Sequence, residues 1–289
     1  MEIIVGKKAG FCFGVKRAVE GSLKEILKEK KNVYCLGELV HNKQVMDGLI
    51  SKGVILIQDI KEVPDNSKVI IRAHGAKKET YNYANNHGIE LIDFTCPFVL
   101  KIHDIAKKYQ SDGYYIFVVG NKVHPETIGT ISYCGNNCDV IEEIDDIGKA
   151  IDNFNNSNIG KLLVIVQTTY SEKKFGEIEK IIKDKVKIED LVIKNTICLS
   201  TSERQKETMR IAKDVDAMII IGGKNSSNTK KLYEVSKKYC DKTILIETVN
   251  DLIDDLSKMK KVGIMAGAST PDESINDVIK KLNGDNNVS

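Results

Sequence analysis

The sequence predicts an α/β fold built from three copies of one small strand–helix unit, and three observations carry that prediction. Short β-branched runs recur along the chain, each followed by a polar or glycine-containing loop and then by a charged amphipathic stretch, the signature of alternating strands and helices that make parallel sheets. Three cysteines stand at joints where a strand-like run gives way to a helix. The distances from those cysteines to the polar loops are nearly constant, and such spacing marks an internal repeat.

In chain order, the six clear strands are Val33 to Gly37 before His41, Val69 to Ala73 before His74, Tyr115 to Gly120 before His124, Leu162 to Val166 before Thr168, Ala217 to Gly222 before Ser226, and Val262 to Gly267 before Ser269. Each opens with consecutive apolar residues, as a strand buried on both faces requires. Helical stretches such as Lys230 to Lys238 place apolar residues three and four apart, enough for one buried face. The cysteine joints are Gly10 to Ala18 around Cys12, Phe94 to Lys101 around Cys96, and Thr196 to Gln205 around Cys198. Pro97 suits a first helical position, where its missing N–H costs nothing. His41 lies 29 residues beyond Cys12, His124 28 beyond Cys96, and Ser226 28 beyond Cys198. The second loops, at His74, Thr168 and Ser269, follow those cysteines by 62, 72 and 71 residues. The expected division is residues 13–96, 97–193 and 194–282 as three lobes, with strand 2–8 joining the third and 283–289 a frayed tail.

Composition narrows the function. Against 43 Lys and Arg stand 41 Asp and Glu, a formal charge of +2, which supplies no broad cationic surface for a phosphate backbone; nucleic acid is not the expected partner. Apolar runs such as Tyr114 to Val119 reach six residues, far short of the ~20 that a membrane span needs. The N-terminus lacks the basic-then-apolar order of a signal peptide, so a cytoplasmic location is expected. The seven cysteines, at 12, 35, 96, 134, 138, 198 and 240, would be reduced there, and an odd, scattered set is no disulfide framework.

Three thiolates from three lobes suit three irons of a cubane cluster, with the fourth iron open to substrate. Each of these cysteines precedes a predicted helix, whose first N–H groups favour a thiolate. Cys35, Cys134, Cys138 and Cys240 fall outside the repeat and read as structural, with Cys134 and Cys138 at most half of a zinc site. The loops offer His41, His74 and His124, then Thr168, Ser226, Ser227, Asn228 and Ser269, donors that at helix N-termini suit a phosphate or diphosphate. The serines alone read more readily as helix caps, and the six-loop register is what turns the set toward binding. Glu126 is the one carboxylate central to these loops; burial would raise its pKa and make it a proton donor near neutrality, whereas in the first turn of a helix it would complement the dipole. His87 and His103 fall in helical stretches and have no support from the repeat.

The strings Ala9 to Val15, Gly37 to Asn42, Arg72 to Gly75, Asp93 to Pro97, Val123 to Glu126, Gln167 to Thr169, Asn195 to Cys198, Asn225 to Asn228 and Ala266 to Ser269 resemble the 4-hydroxy-3-methylbut-2-enyl diphosphate reductases, the last enzymes of the deoxyxylulose phosphate route to isoprenoids. The resemblance implies a trefoil of three lobes around a 4Fe-4S cluster that reduces the allylic alcohol diphosphate to isopentenyl and dimethylallyl diphosphates. It implies Cys12, Cys96 and Cys198 as cluster ligands, and His41, His74, His124, Ser226, Asn228 and Ser269 as diphosphate-binding residues, with Ser227 a further lining residue. Glu126 maps to the family's acid, His124 to its proton path, and Thr168 to a position near the substrate hydroxyl. Thr201 extends the hydrogen-bond chain in that family, but Leu199 to Ser202 depart from the usual Tyr-Ala-Thr-Thr. No nicotinamide or flavin fingerprint is present, since Gly222 to Ser227 is too short a match; electrons are therefore expected from ferredoxin or flavodoxin. Some members of the family continue into S1-type repeats.

Two other readings share the repeat. Quinolinate synthase-like dehydratases also join three α/β lobes around a three-cysteine cluster, and a non-catalytic iron–sulfur sensor would need the cysteines alone. The histidine loops and His124-Pro125-Glu126 favour diphosphate reduction.

Overall fold

The computed structural model describes residues 1–28 and 32–284; residues 285–289 of the expected tail lie outside the described residues. The chain runs β1 (Glu2–Val5), α1 (Phe13–Lys28), β2 (Val33–Leu36), α2 (Lys43–Ile50), β3 (Val54–Ile57), β4 (Lys68–Ile71), α3 (Lys78–Asn86) and β5 (Glu90–Asp93). It continues through α4 (Pro97–Ser111), β6 (Tyr115–Val119), α5 (Pro125–Ile131), β7 (Cys138–Ile141), α6 (Asp146–Asn156), β8 (Lys161–Val166), α7 (Glu172–Lys185) and β9 (Asp190–Lys194). The remainder is α8 (Leu199–Ala212), β10 (Ala217–Ile221), α9 (Ser227–Lys237), β11 (Thr243–Ile246), β12 (Lys261–Ala266) and α10 (Asp272–Asn283). Asn283, expected in the tail, is the last residue of α10, and Gly284 caps it with φ 86°, a left-handed conformation that glycine adopts at no steric cost.

Two compact units result. One holds Gly21–Leu39 and Gly53–Cys198; the other holds Met1–Glu20, Val40–Lys52 and the residues from Leu199 on. The first unit contains two four-stranded sheets of order β3-β2-β4-β5 and β7-β6-β8-β9, and the second contains one of order β1-β12-β10-β11. All pairings are parallel. The strand order is the same in all three once β1 is counted last, and β1 pairs Glu2 with Lys261 and Val5 with Ile264.

Burial explains which strands the sequence displays. The inner strands β6, β8, β10 and β12 are buried almost throughout, so both faces must be apolar and the run is unmistakable. Phe117, Val164 and Val166 pack with Phe154 and Phe175 in one core; Ile219 and Ile264 pack with Ile275 and Val278 in another. Three strands were not among the expected elements: β3, β7 and β11. Each is an outer strand of four residues, partly open to solvent; Asp139 interrupts Cys138–Ile141, whereas Val54–Ile57 and residues 244–246 are apolar runs too short to be told from a helical segment by pattern. The strands that lead toward the cysteines, β1, β5 and β9, occupy the opposite edges.

Candidate functional site

The three sheets deliver their loops at matched positions. His41, His124 and Ser226 each stand five residues beyond the ends of β2, β6 and β10, at Leu36, Val119 and Ile221. The second loops differ by one residue from the spacing expected. Counted from the ends of β4, β8 and β12, Thr168 matches Ala73 and Ala268, while His74 matches Thr169 and Ser269. The backbone confirms this register, because the N–H groups of Cys96, Cys198 and Cys12 donate to the carbonyls of Ala73, Thr168 and Ala268 at 3.0, 3.0 and 3.1 Å.

The cysteine joints are of two kinds. Cys96 and Cys198 follow β5 and β9 by three and four residues and lead straight into α4 and α8. Each approach is fixed from within: Asp93 Oδ1 accepts the Thr95 N–H at 2.8 Å, and Asn195 Oδ1 accepts the Ile197 N–H at 3.0 Å. Such turns are what Asp and Asn side chains make. Cys12 departs from the expected direct joint. It stands seven residues beyond the end of β1, after a loop of residues 6–11, and its carbonyl accepts the first bond of α1 from Lys16 at 2.9 Å. Ala9 holds the position of Asp93 and Asn195 and has no side-chain acceptor.

All three of these cysteines are partly exposed, none is in a disulfide, and each immediately precedes a helix. Cys35, Cys134 and Cys240 are buried. Burial pushes the Cys35 thiol up to about 12 and raises that of Cys240; contact with Cys138 and burial raise that of Cys134. Protonated thiols are poor ligands. Cys138 opens β7 and packs beside the core that contains Cys134.

Within the first unit a single chain of contacts joins Cys198, Thr168, Glu126 and His124. His124 caps α5, and its Nδ1 accepts the Glu126 N–H at 3.2 Å, which leaves Nε2 to carry the proton of the neutral ring. His74 meets the His124 ring edge-on, with centroids 5.3 Å apart. Glu126 is 2% exposed. Its Oε1 accepts the Thr168 N–H at 2.6 Å and its Oε2 the Thr168 hydroxyl at 2.7 Å. Burial pushes the Glu126 pKa up to about 7, against the opposing pull of the two Thr168 donors. A first-turn carboxylate that merely met the helix dipole would be exposed and ordinary; this one is buried, and burial raises its pKa toward neutrality. The Thr168 carbonyl closes the chain on the Cys198 N–H.

In the second unit, Ser226 caps α9 by accepting the Thr229 N–H at 3.3 Å. Ser227 opens the helix, half-buried, and Asn228 lies 4% exposed in its first turn. Among the described residues neither Nδ2 nor Oδ1 of Asn228 has a hydrogen-bond partner, a costly arrangement for a buried amide unless a ligand meets it. The loop of His41 lies against this turn. Gly223 packs so closely that a Cβ there would sit 2.4 Å from the His41 carbonyl, and the Ser269 hydroxyl donates to that same carbonyl at 3.1 Å. Thr201 is buried in α8. The unsatisfied amide of Asn228, and the reach of Arg204 and Glu207 of α8 to the loop before Cys12, have no counterpart in the sequence pattern. His103 is buried in α4 and stacked on Tyr133 at 4.6 Å, outside the site.

Parallel sheets whose strand ends present helix-opening cysteines, together with a buried carboxyl–hydroxyl pair, define a redox enzyme of the α/β class. The chain belongs to the LytB protein family, whose model matches residues 3–283, a family of iron–sulfur enzymes. It is 42% identical over 286 residues to the 4-hydroxy-3-methylbut-2-enyl diphosphate reductase of Thermoanaerobacter sp. (strain X514), covering 98% of this chain and 96% of that one. It superimposes on the E-1-hydroxy-2-methyl-but-2-enyl-4-diphosphate reductase of Plasmodium falciparum with a TM-score of 0.91 and 31% identity, over 97% of this chain and 87% of that one. A second solved structure, (E)-4-hydroxy-3-methyl-but-2-enyl diphosphate reductase, the terminal enzyme of the non-mevalonate pathway, gives 0.71 and 38%, over 98% and 100%. These relatives separate the chain from the quinolinate synthase-like dehydratases and from a sensor. Among the described residues no helix is long and apolar enough to cross a membrane.

Proposed function

We propose that this chain reduces (E)-4-hydroxy-3-methylbut-2-enyl diphosphate to isopentenyl and dimethylallyl diphosphates. The observation that carries the reading is the buried Glu126–Thr168 pair, a carboxyl able to give up a proton near neutrality and linked through one backbone bond to a helix-opening cysteine. The donor set suits a 4Fe-4S cluster: Cys12, Cys96 and Cys198 are partly exposed, outside any disulfide and at helix starts, and would hold three irons. When bound, the cluster supplies single electrons and a Lewis-acidic iron without a cysteine ligand.

The reaction converts a C–OH bond to C–H with two electrons and two protons, releasing water. Glu126 is the donor to the departing hydroxyl, and Thr168, which hydrogen-bonds it, orients the acid and lies near that hydroxyl. His124 belongs to the proton path, since its ring holds the Glu126 backbone N–H at the start of α5. His41, His74, His124, Ser226, Ser227, Asn228 and Ser269 bind the diphosphate; the unsatisfied Asn228 amide supplies a donor already desolvated. The electrons come from an external carrier such as ferredoxin or flavodoxin, in the cytoplasm, and residues 13–96, 97–193 and 194–282 serve as three lobes around the cluster. The test is anaerobic incubation of the cluster-loaded chain with the allylic diphosphate and reduced viologen. The two isomeric five-carbon diphosphates are the expected products; an intact cluster that oxidises no viologen would refute the reading.

A further inference from the structure

We infer that Arg204 and Glu207, both on α8, are positioning residues that fix the loop presenting Cys12. The inference rests on the reading of Cys12 as a cluster ligand. The Cys12 joint is the long one, and Ala9 supplies none of the side-chain acceptance that Asp93 and Asn195 give the other two joints. The missing restraint comes from α8 instead. Glu207 Oε1 and Oε2 accept the N–H groups of Lys7 and Lys8 at 3.0 and 2.8 Å. Arg204, 3% exposed, donates from Nη2 to the Gly10 carbonyl at 2.7 Å, and Glu203 pairs with the Lys8 ammonium at 2.7 Å.

Three side chains within five residues of one helix thus grip Lys7, Lys8 and Gly10 of the loop. Gly10 itself has φ 92°, a conformation that leaves its carbonyl where the guanidinium meets it and that other residues adopt only under strain. Charge-assisted bonds of this kind are the strong ones, and the two involving Glu207 hold backbone N–H groups that would otherwise exchange with water. A thiol carried on an unrestrained loop of this length would spend less time where a cluster needs it.

Hydrogen exchange and iron retention in the full-length, cluster-loaded chain test this. Glu207→Ala should speed exchange of the Lys7 and Lys8 amides about tenfold or more, with the β12 amides unchanged. Arg204→Met should speed loss of iron to a chelator about tenfold, and Arg204→Lys, which retains a cationic donor, should recover part of the loss; a merely structural role would show no such graded rescue. Should Arg204→Met fail to fold, the Glu207 variant decides by the same two measurements. Unchanged exchange at Lys7 and Lys8, or faster exchange with normal iron retention, would overturn the inference. A Cys12→Ser variant run alongside separates the two layers. Full iron content there would refute Cys12 as a ligand, whereas the exchange data still decide whether α8 holds the loop.

Discussion

Replacing Glu126 by Gln separates the proton-donor role from a structural one through opposite effects on turnover and stability. Gln keeps both contacts with Thr168, since its Oε1 accepts the Thr168 N–H and its Nε2 donates to the Thr168 hydroxyl, but it has no proton to give. The carboxyl titrates near 7 in the fold against an ordinary 4.5, a difference of about 3 kcal/mol by linkage. The sign follows from proton binding. Between pH 4.5 and 7 the folded state holds a proton that the unfolded state has released, so stability falls as pH rises through that window. Above pH 7 the native protein carries the full cost of a buried carboxylate, and the Gln variant carries none. Denaturation midpoints at pH 5 and pH 8 should therefore show Glu126→Gln gaining on the native protein by up to about 3 kcal/mol over the interval. Turnover with the allylic diphosphate should fall about 10²-fold or more, cluster content unchanged. Normal turnover with an intact cluster would shift the proton to another group, His124 first; an identical stability difference at both pH values would refute the buried-acid argument.

His103 gives the converse pH dependence. Burial lowers its pKa to about 4 from 6.5, so its contribution is complete above pH 6.5 and is lost as pH falls toward 4, about 3 kcal/mol in all; His103→Phe should flatten that acid limb in melting experiments. Asn228→Ala should weaken diphosphate binding about tenfold or more in calorimetric titration while leaving stability within about 0.5 kcal/mol, because the amide has no partner among the described residues to lose. A large loss of stability in that variant would mean that the amide serves the fold.

The parts of the fold legible in the sequence are those where burial is two-sided. Residues 162–166 and 217–221 are apolar without interruption because both faces are buried, whereas Val54–Ile57 and Thr243–Ile246 are edge strands of four residues, too short for their apolar run to distinguish a strand from a helical segment. Loop spacing located His41, His124 and Ser226 well, since each follows its strand by the same five residues. It misaligned Thr168 by one, because the residues between strand and helix are not punctuated by type. Glu126 could be singled out in the sequence as the lone loop carboxylate, but its two bonds to Thr168 depend on loops 42 residues apart. Arg204 and Glu207 were hidden for a different reason. In a helix that reads as charged and weakly amphipathic they look solvated, whereas in the fold the arginine is buried and meets the N-terminal loop at the Gly10 carbonyl.

The cysteines offer the most direct test, because every functional step proposed depends on which of them hold the cluster. Each of the seven is replaced in turn by Ser, the chain is loaded with iron and sulfide under anaerobic conditions, and bound iron is measured together with the visible charge-transfer absorption. Loss confined to Cys12→Ser, Cys96→Ser and Cys198→Ser is the predicted result. A requirement for Cys134 or Cys138, with any of those three dispensable, would contradict it.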